Sequence, residues 1–151
     1  MINAILCGAS GKMGGFVASA AKEDGNIKIV AGVDKINNGE VFPVFSAFSD
    51  INTKADIIID FSHTSMLDGL LDYAVKNKIP AVIATTGYDD GQIEKIKQAS
   101  KEIPVFFTFN MSIGVNLVAS LAKKAAAVLG DSFDIEIVEM HHNQKIDAPS
   151  V

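Results

Sequence analysis

The stretch EMHHNQKIDAPSV, Glu139 to Val151, places two adjacent histidines, a lysine, an aspartate and an Ala-Pro-Ser turn within thirteen residues. Histidine titrates near neutrality and can give or accept a proton at physiological pH. A lysine can pin a carboxylate by charge and hydrogen bonding. His141, His142 and Lys145 are therefore candidates for proton transfer beside an anionic substrate. Metal ligation suits them less well. Adjacent histidines on a strand point to opposite faces, and no cysteine or third histidine stands near, so no metal site is expected.

A second constellation lies at the other end of the chain. The apolar run INAILCG leads directly into GASGKMGG, with Gly8, Gly11 and Gly14 spaced G-x-x-G-x-x-G. Glycines at a strand-to-helix turn allow a tight bend and let backbone amides approach a pyrophosphate, which the helix N-terminus then stabilises. Ala9, Ser10, Lys12 and Met13 fill the rest of this loop. The next apolar run ends in GVDK, which puts Asp34 twenty residues beyond Gly14. An acid there can accept hydrogen bonds from both ribose hydroxyls of NAD. Lys35, beside it, could pair with the 2′-phosphate of NADP, and Lys12 adds positive potential at the helix start. The pattern predicts use of both NADH and NADPH, with NADH favoured. A solvated surface charge is the plainer reading of both lysines.

Three further loops fall at the C-terminal ends of strands, where open α/β sheets bind ligands. DFSH (60–63) offers Phe61 and Ser62 as nicotinamide neighbours, with His63 read as a helix cap. ATTGY (84–88) supplies Ala84, Thr85 and Thr86. FNMSIGVN (109–116) supplies Phe109, Asn110, Met111 and Ser112. Taken singly, each is also an ordinary turn or N-cap.

The elements that must hold these residues follow from the hydrophobic pattern. Strands are predicted at 2–8, 27–33, 55–61, 79–85 and 103–109. Helices are predicted at 12–23, 64–77, 89–101 and 113–129, the last stopped by Gly130, and 36–54 reads as a looser connection. Alternating strands and helices with short connections imply a parallel sheet with helices on both faces, a doubly wound Rossmann-type α/β fold. The run FDIEIVEMHH (133–142) differs: Phe133, Ile135 and Ile137 alternate with Asp134 and Glu136, as in a strand with one polar face. A dinucleotide-binding domain at 1–130 and the first strand of an α+β substrate domain at 131–151 are the division expected.

Composition agrees. The 151 residues are 48% hydrophobic and 21% charged, which suits a globular α/β protein rather than a disordered one. A formal charge of −5 argues against a broad nucleic-acid surface, so any anion site must be local. The single cysteine, Cys7, excludes an internal disulfide and reads as a core residue, since nothing beside it in sequence would activate it. No apolar stretch is expected to reach membrane-spanning length, and no charged region precedes the N-terminal apolar run, so cytoplasm is the default location. Neither nucleic acid nor membrane is an expected partner.

Together, GASGKMG, DFS, ATTG, NMSIGVN and above all EMHHNQKIDAPS resemble dihydrodipicolinate reductase of the bacterial lysine and diaminopimelate pathway. The resemblance spans essentially the whole chain. Its most specific part is the family pattern E-x-H-H-x-x-K-x-D-A-P-S-G-T, which opens the substrate domain. It implies reduction of a cyclic dicarboxylic imine by NADH or NADPH, in a two-domain subunit with a hinge, assembled as a homotetramer through the C-terminal domains. It further implies that His141 is a proton donor or acceptor, Lys145 a proton donor and His142 a substrate-binding residue.

One departure stands out. Where the family continues Ser-Gly-Thr, Ser150 is followed by Val151. The expectation is a cofactor-binding fragment with the opening of a substrate domain, able to bind cofactor but feeble or inactive in turnover. The alternatives are another nicotinamide-dependent reductase or a non-catalytic NAD(P)-binding module. Aspartate-semialdehyde dehydrogenase fits poorly, because it needs a catalytic cysteine and Cys7 is in the first strand. Sugar and inositol dehydrogenases would carry Glu-Lys-Pro where this chain has ATTGY.

Overall fold

The computed structural model describes residues 1–138 and Met140. By internal contacts the chain divides into two units, Met1–Phe109 and Asn110–Val151.

The first unit is built on six strands: β1 (Ile2–Cys7), β2 (Ile27–Val33), β3 (Val44–Phe45), β4 (Ile57–Asp60), β5 (Ala81–Ile83) and β6 (Val105–Phe107). They form one sheet in the order β3-β2-β1-β4-β5-β6, every neighbouring pair parallel. This is the order of a doubly wound Rossmann sheet, and its direction of progression reverses between β1 and β4. The register there pairs Cys7 with Asp60, so the ends of both central strands, and the loops that follow them, meet at the reversal point.

Three helices connect the strands: α1 (Lys12–Asp24), α2 (Leu67–Asn77) and α3 (Asp90–Ala99). In α2, Leu67, Leu70, Leu71 and Ala74 are buried, the i, i+3, i+4, i+7 stripe that turns one helical face to a core. They pack in one cluster with Ile5, Cys7, Ala31, Val33, Ile58 and Ile83 from the strands and Ile96 and Ala99 from α3. Helix α3 starts in a capping box: the Asp89 carboxylate accepts from the Gln92 amide at 2.8 Å, and the Gln92 side chain accepts from the Asp89 amide at 3.2 Å. Helix α1 stops at Gly25 (φ 71°), and α2 stops at Lys78, which adopts φ 56° without being glycine.

In the second unit, α4 (Ile113–Leu129) begins with Ser112 as its N-cap, whose hydroxyl accepts from the Val115 amide at 3.3 Å. It ends at Gly130, followed by a 3-10 turn over Gly130–Ser132.

Three expectations are corrected. The connection at 36–54 contains the edge strand β3 and a 3-10 turn at Phe48–Asp50. Two residues are too few to show a period of two, so β3 left no pattern in the sequence. The strand expected at 133–142 is not formed over 133–138, which pairs with no strand among the described residues. Alternation produces a strand only where a neighbour takes its amides and carbonyls. Finally, the helical stretch Ile113–Ser132 is 20 residues long and reaches a mean hydropathy of 1.4 over an 18-residue window, enough to cross a membrane by length and composition alone. It reaches that value because its alanines and branched residues outweigh Lys123 and Lys124.

Candidate functional site

The loops at the C-terminal ends of β1, β2 and β4 enclose a cleft of about 250 Å³, lined by Gly8, Gly11, Val33, Asp34, Lys35, Phe61, Ser62, His63 and Met66. Backbone hydrogen bonds set its walls. The Gly8 amide donates to the Val33 carbonyl at 2.9 Å, and the Phe61 amide to the Cys7 carbonyl at 3.1 Å.

Each glycine of the first loop has its own reason to be glycine. Gly8 has φ 74°, and a Cβ there would lie 2.5 Å from the Phe61 carbonyl oxygen, closing the cleft from below. A Cβ on Gly14 would lie 2.5 Å from the Ala9 carbonyl oxygen, so this position lets α1 pack onto the turn that precedes it. Gly11 is different: its backbone is extended, and a Cβ would meet only the Gly8 carbonyl oxygen, at 3.3 Å. Gly11 is also the N-cap of α1 and supplies no side-chain acceptor, unlike Asp89 and Ser112 at the starts of α3 and α4. Hence the amides of the first turn, Lys12, Met13 and Gly14, are offered at the mouth of the glycine loop without a side-chain cap, which is the arrangement an anion requires. Lys12 and Met13 are exposed, and Ala9 is buried against Gly32, where a Cβ would come within 2.7 Å of the Ala9 methyl.

The acid at the end of β2 is tied to the same loop. Asp34 accepts from the Ser10 amide at 3.0 Å through one oxygen and from the Lys35 amide at 2.7 Å through the other. The Ser10 hydroxyl donates to the Ile36 carbonyl at 2.6 Å, and the Asn38 side-chain amide donates to the Ser10 carbonyl at 3.1 Å. Ser10 thus joins the glycine turn to the segment after β2. The same serine hydroxyl, together with backbone amides, holds the Glu40 carboxyl below the usual carboxylate range.

Behind Phe61 and Ser62 sits a group missing from the sequence-based candidates. Asp60, the last residue of β4, is completely buried. Its carboxylate accepts from the Ser62 amide at 3.1 Å and the Ser62 hydroxyl, from the Thr85 hydroxyl at 2.8 Å and from the Tyr88 hydroxyl at 3.3 Å. The visible signal was an acid closing the otherwise apolar strand sequence IIID. Burial, then the nearby Asp60 carboxylate, raises the Tyr88 phenol above its ordinary value. Burial likewise raises the Cys7 thiol well above its ordinary value, with Asp60 and then Asp34 adding to the shift, which keeps Cys7 a neutral core thiol.

His63 caps the turn at Thr64–Met66, its Nδ1 accepting from the Ser65 amide at 3.2 Å, as the sequence suggested. Of the loop after β5, Ala84 is half-buried, Thr85 is buried with its hydroxyl turned to Asp60, and Thr86 is exposed. Phe109 closes the first unit, its ring edge-on to Phe107 at 4.8 Å between centroids. Asn110, Met111 and Ser112 open the second unit, where the Asn110 side-chain oxygen accepts from the Ser112 amide at 2.8 Å. His141, His142 and Lys145 lie outside the described residues. Among the described residues no cluster of three metal-ligating side chains occurs.

Comparison with known proteins agrees with this architecture. Residues 2–111 match the family described as "Dihydrodipicolinate reductase, N-terminus", and residues 114–151 match "Dihydrodipicolinate reductase, C-terminus". The 4-hydroxy-tetrahydrodipicolinate reductase of Caldanaerobacter subterraneus subsp. tengcongensis is 50% identical over 150 residues, covering 99% of this chain and 59% of that protein. That of Clostridium novyi is 44% identical, over 99% of this chain and 60% of its own length. The chain thus spans about 60% of the curated relatives it matches. Among solved structures, a dipicolinate-bound dihydrodipicolinate reductase from Paenisporosarcina sp. TG-14 superposes with a TM-score of 0.78 at 29% identity, over 99% of this chain and 62% of that one. A myo-inositol dehydrogenase from Corynebacterium glutamicum shares the fold alone, with a TM-score of 0.63 at 21% identity, over 87% of this chain and 43% of that one. With both family segments matched in order on a sheet of the expected topology, the chain belongs to the dihydrodipicolinate reductase family.

Proposed function

We propose that this chain carries the cofactor-binding part, and the opening of the substrate-binding part, of a 4-hydroxy-tetrahydrodipicolinate reductase that uses NADH or NADPH in lysine and diaminopimelate biosynthesis. The observation that carries the reading is the cleft joining Gly8, Gly11, Asp34 and Phe61 at the reversal point of the sheet. The residues fit a dinucleotide. Gly8 and Gly14 let the turn pack against the Phe61 and Ala9 carbonyls, which a Cβ would strike, and Gly11 leaves the uncapped turn of α1 open for a pyrophosphate. Asp34 accepts the ribose hydroxyls, and Lys35 and Lys12 provide the positive charge that a 2′-phosphate would need. Phe61, Ala84, Thr85, Thr86 and Phe109 lie at the end of the sheet where a nicotinamide belongs. For Asn110, Met111 and Ser112 a nicotinamide-side role rests on the sequence alone, from the amide, hydroxyl and backbone groups of a loop that follows a strand.

When bound, a nicotinamide would supply a hydride to the unsaturated ring that remains once the 4-hydroxyl of the substrate has left as water. The chain's own residues must then hold a dicarboxylate and deliver one proton to the electron-rich centre that the hydride leaves. His141 and Lys145 are the groups proposed for the proton and His142 for the substrate. On this reading residues 1–130 form the dinucleotide-binding domain and 131–151 begin the substrate domain. The whole enzyme would be a cytoplasmic homotetramer.

The test is NADH oxidation dependent on 4-hydroxy-tetrahydrodipicolinate, by the chain extended to the length of its relatives. His141→Ala and Lys145→Ala should each lower turnover and leave NADH affinity nearly unchanged. Cofactor binding without any substrate-dependent oxidation would favour a non-catalytic NAD(P)-binding module instead.

A further inference from the structure

A carboxylate with no exposure and only neutral partners is costly to bury, and Asp60 is such a group. It sits in the first unit at the end of β4, paired in register with Cys7. Its partners come from two different loops. Ser62 belongs to the loop that lines the cleft, and Thr85 and Tyr88 belong to the loop after β5. The backbones of the two loops are joined only at their roots, where the Ala84 amide donates to the Asp60 carbonyl at 3.0 Å. Beyond that point the carboxylate links the two loops directly, while the Gln92 side-chain amide, donating to the Thr64 carbonyl at 3.0 Å, ties the first loop to the start of α3.

We infer that Asp60 is a positioning residue of the cofactor cleft, joining the loops after β4 and β5 into one platform beneath the nicotinamide. The inference rests on the proposed cofactor reading. An apolar side chain would satisfy a core position at lower cost. Only an acceptor with two oxygens can take the Ser62 amide and hydroxyl on one side and the Thr85 and Tyr88 hydroxyls on the other. Asparagine, equal in size, loses the charge and one acceptor, and its amide can hold Thr85 and Tyr88 only if both hydroxyls turn from donors to acceptors, so the tie between the loops weakens. The adenosine end of the cleft, held by Asp34 and Ser10, shares no hydrogen bond with this network. Loss of Asp60 should therefore be felt by the nicotinamide and not by the adenosine.

The experiment is calorimetric titration of the 151-residue chain with NADH and, separately, with ADP-ribose, which has the adenosine, both phosphates and no nicotinamide. The wild-type chain should bind NADH more tightly than ADP-ribose. Asp60→Asn should weaken NADH about tenfold and ADP-ribose less than about twofold, one hydrogen bond to a charged group being at stake. Thr85→Val should repeat the pattern in smaller measure and Thr85→Ser restore it, a pair that decides the matter if Asp60→Asn does not fold. Equal weakening of both ligands, no weakening, or equal wild-type affinities for the two would overturn the inference. Failure of the wild-type chain to bind either ligand would overturn the cofactor reading itself, and the inference with it.

Discussion

The Asp34 carboxylate and the Ser10 backbone amide, 24 residues apart in sequence, are joined by a 3.0 Å hydrogen bond that fastens the end of β2 to the glycine turn after β1. The acid proposed to read the ribose therefore also fixes part of the loop proposed to hold the pyrophosphate. Asp34→Ala should weaken NADH by about one to two decades, from the loss of a charge-assisted hydrogen bond worth roughly 1.5–3 kcal/mol. NADPH should suffer less, since its phosphate gains from removal of the like charge. Lys35→Ala should act in the opposite sense and hurt NADPH alone. Paired affinity measurements check this, and equal weakening of both cofactors by Asp34→Ala would show that the acid does not discriminate.

Gly8 and Gly14 are constrained by the protein and not by a ligand. An alanine at Gly8 must adopt φ near 74° and press on the Phe61 carbonyl, so Gly8→Ala should lower stability by about 2–4 kcal/mol. Denaturant unfolding measures it. A midpoint within error of wild type would mean that the β1 and β4 loops are looser than described.

Cys7 makes stability depend on pH in the alkaline range. Its folded-state pKa is raised, so as pH climbs past the ordinary thiol range the unfolded chain releases a proton that the folded chain keeps. That stability is fully present below about pH 8 and is progressively lost above it. Cys7→Ala should cost some packing at neutral pH and flatten the decline between about pH 8 and 10. Unfolding midpoints across that window provide the check; identical slopes for the two proteins would contradict it.

The stop of α2 offers a stabilising change. Lys78 holds φ 56° and ψ 41°, a conformation that glycine adopts without the Cβ penalty. Its ion pair with Glu102, 2.9 Å long, is exposed on both sides and contributes little. Lys78→Gly should therefore raise stability by about 0.5 kcal/mol, read as a small upward shift in Tm.

What the sequence disclosed was local. The glycine spacing, the acid of GVDK and the helix at 64–77 are each written within one element and its neighbour, and each appears where expected, the helix as a 3-10 turn leading into α2. The features it withheld depend on partners far along the chain. Asp60 looks like an ordinary strand end until Thr85 and Tyr88, 25 and 28 residues away, are folded onto it. Val44 and Phe45 are a strand only because Gly32 and Val33 lie beside them. Conversely, Phe133, Ile135 and Ile137 carry a strand's alternation with no neighbour among the described residues to complete it. His141, His142 and Lys145, which drew attention first in the sequence, lie outside those residues.

The central claim, that the glycine loop and the uncapped start of α1 receive the pyrophosphate of a nicotinamide cofactor, turns on Gly11. Its backbone is extended and a Cβ there would meet only the Gly8 carbonyl oxygen, at a tight 3.3 Å, so Gly11→Val should cost some stability without unfolding the chain and place a side chain where the phosphates must approach. Titrating NADH into the wild-type chain and into Gly11→Val, with unfolding midpoints recorded alongside, measures this directly. Binding by the wild type and none by a stably folded Gly11→Val is the result expected. Equal NADH affinity in the two proteins would contradict the account.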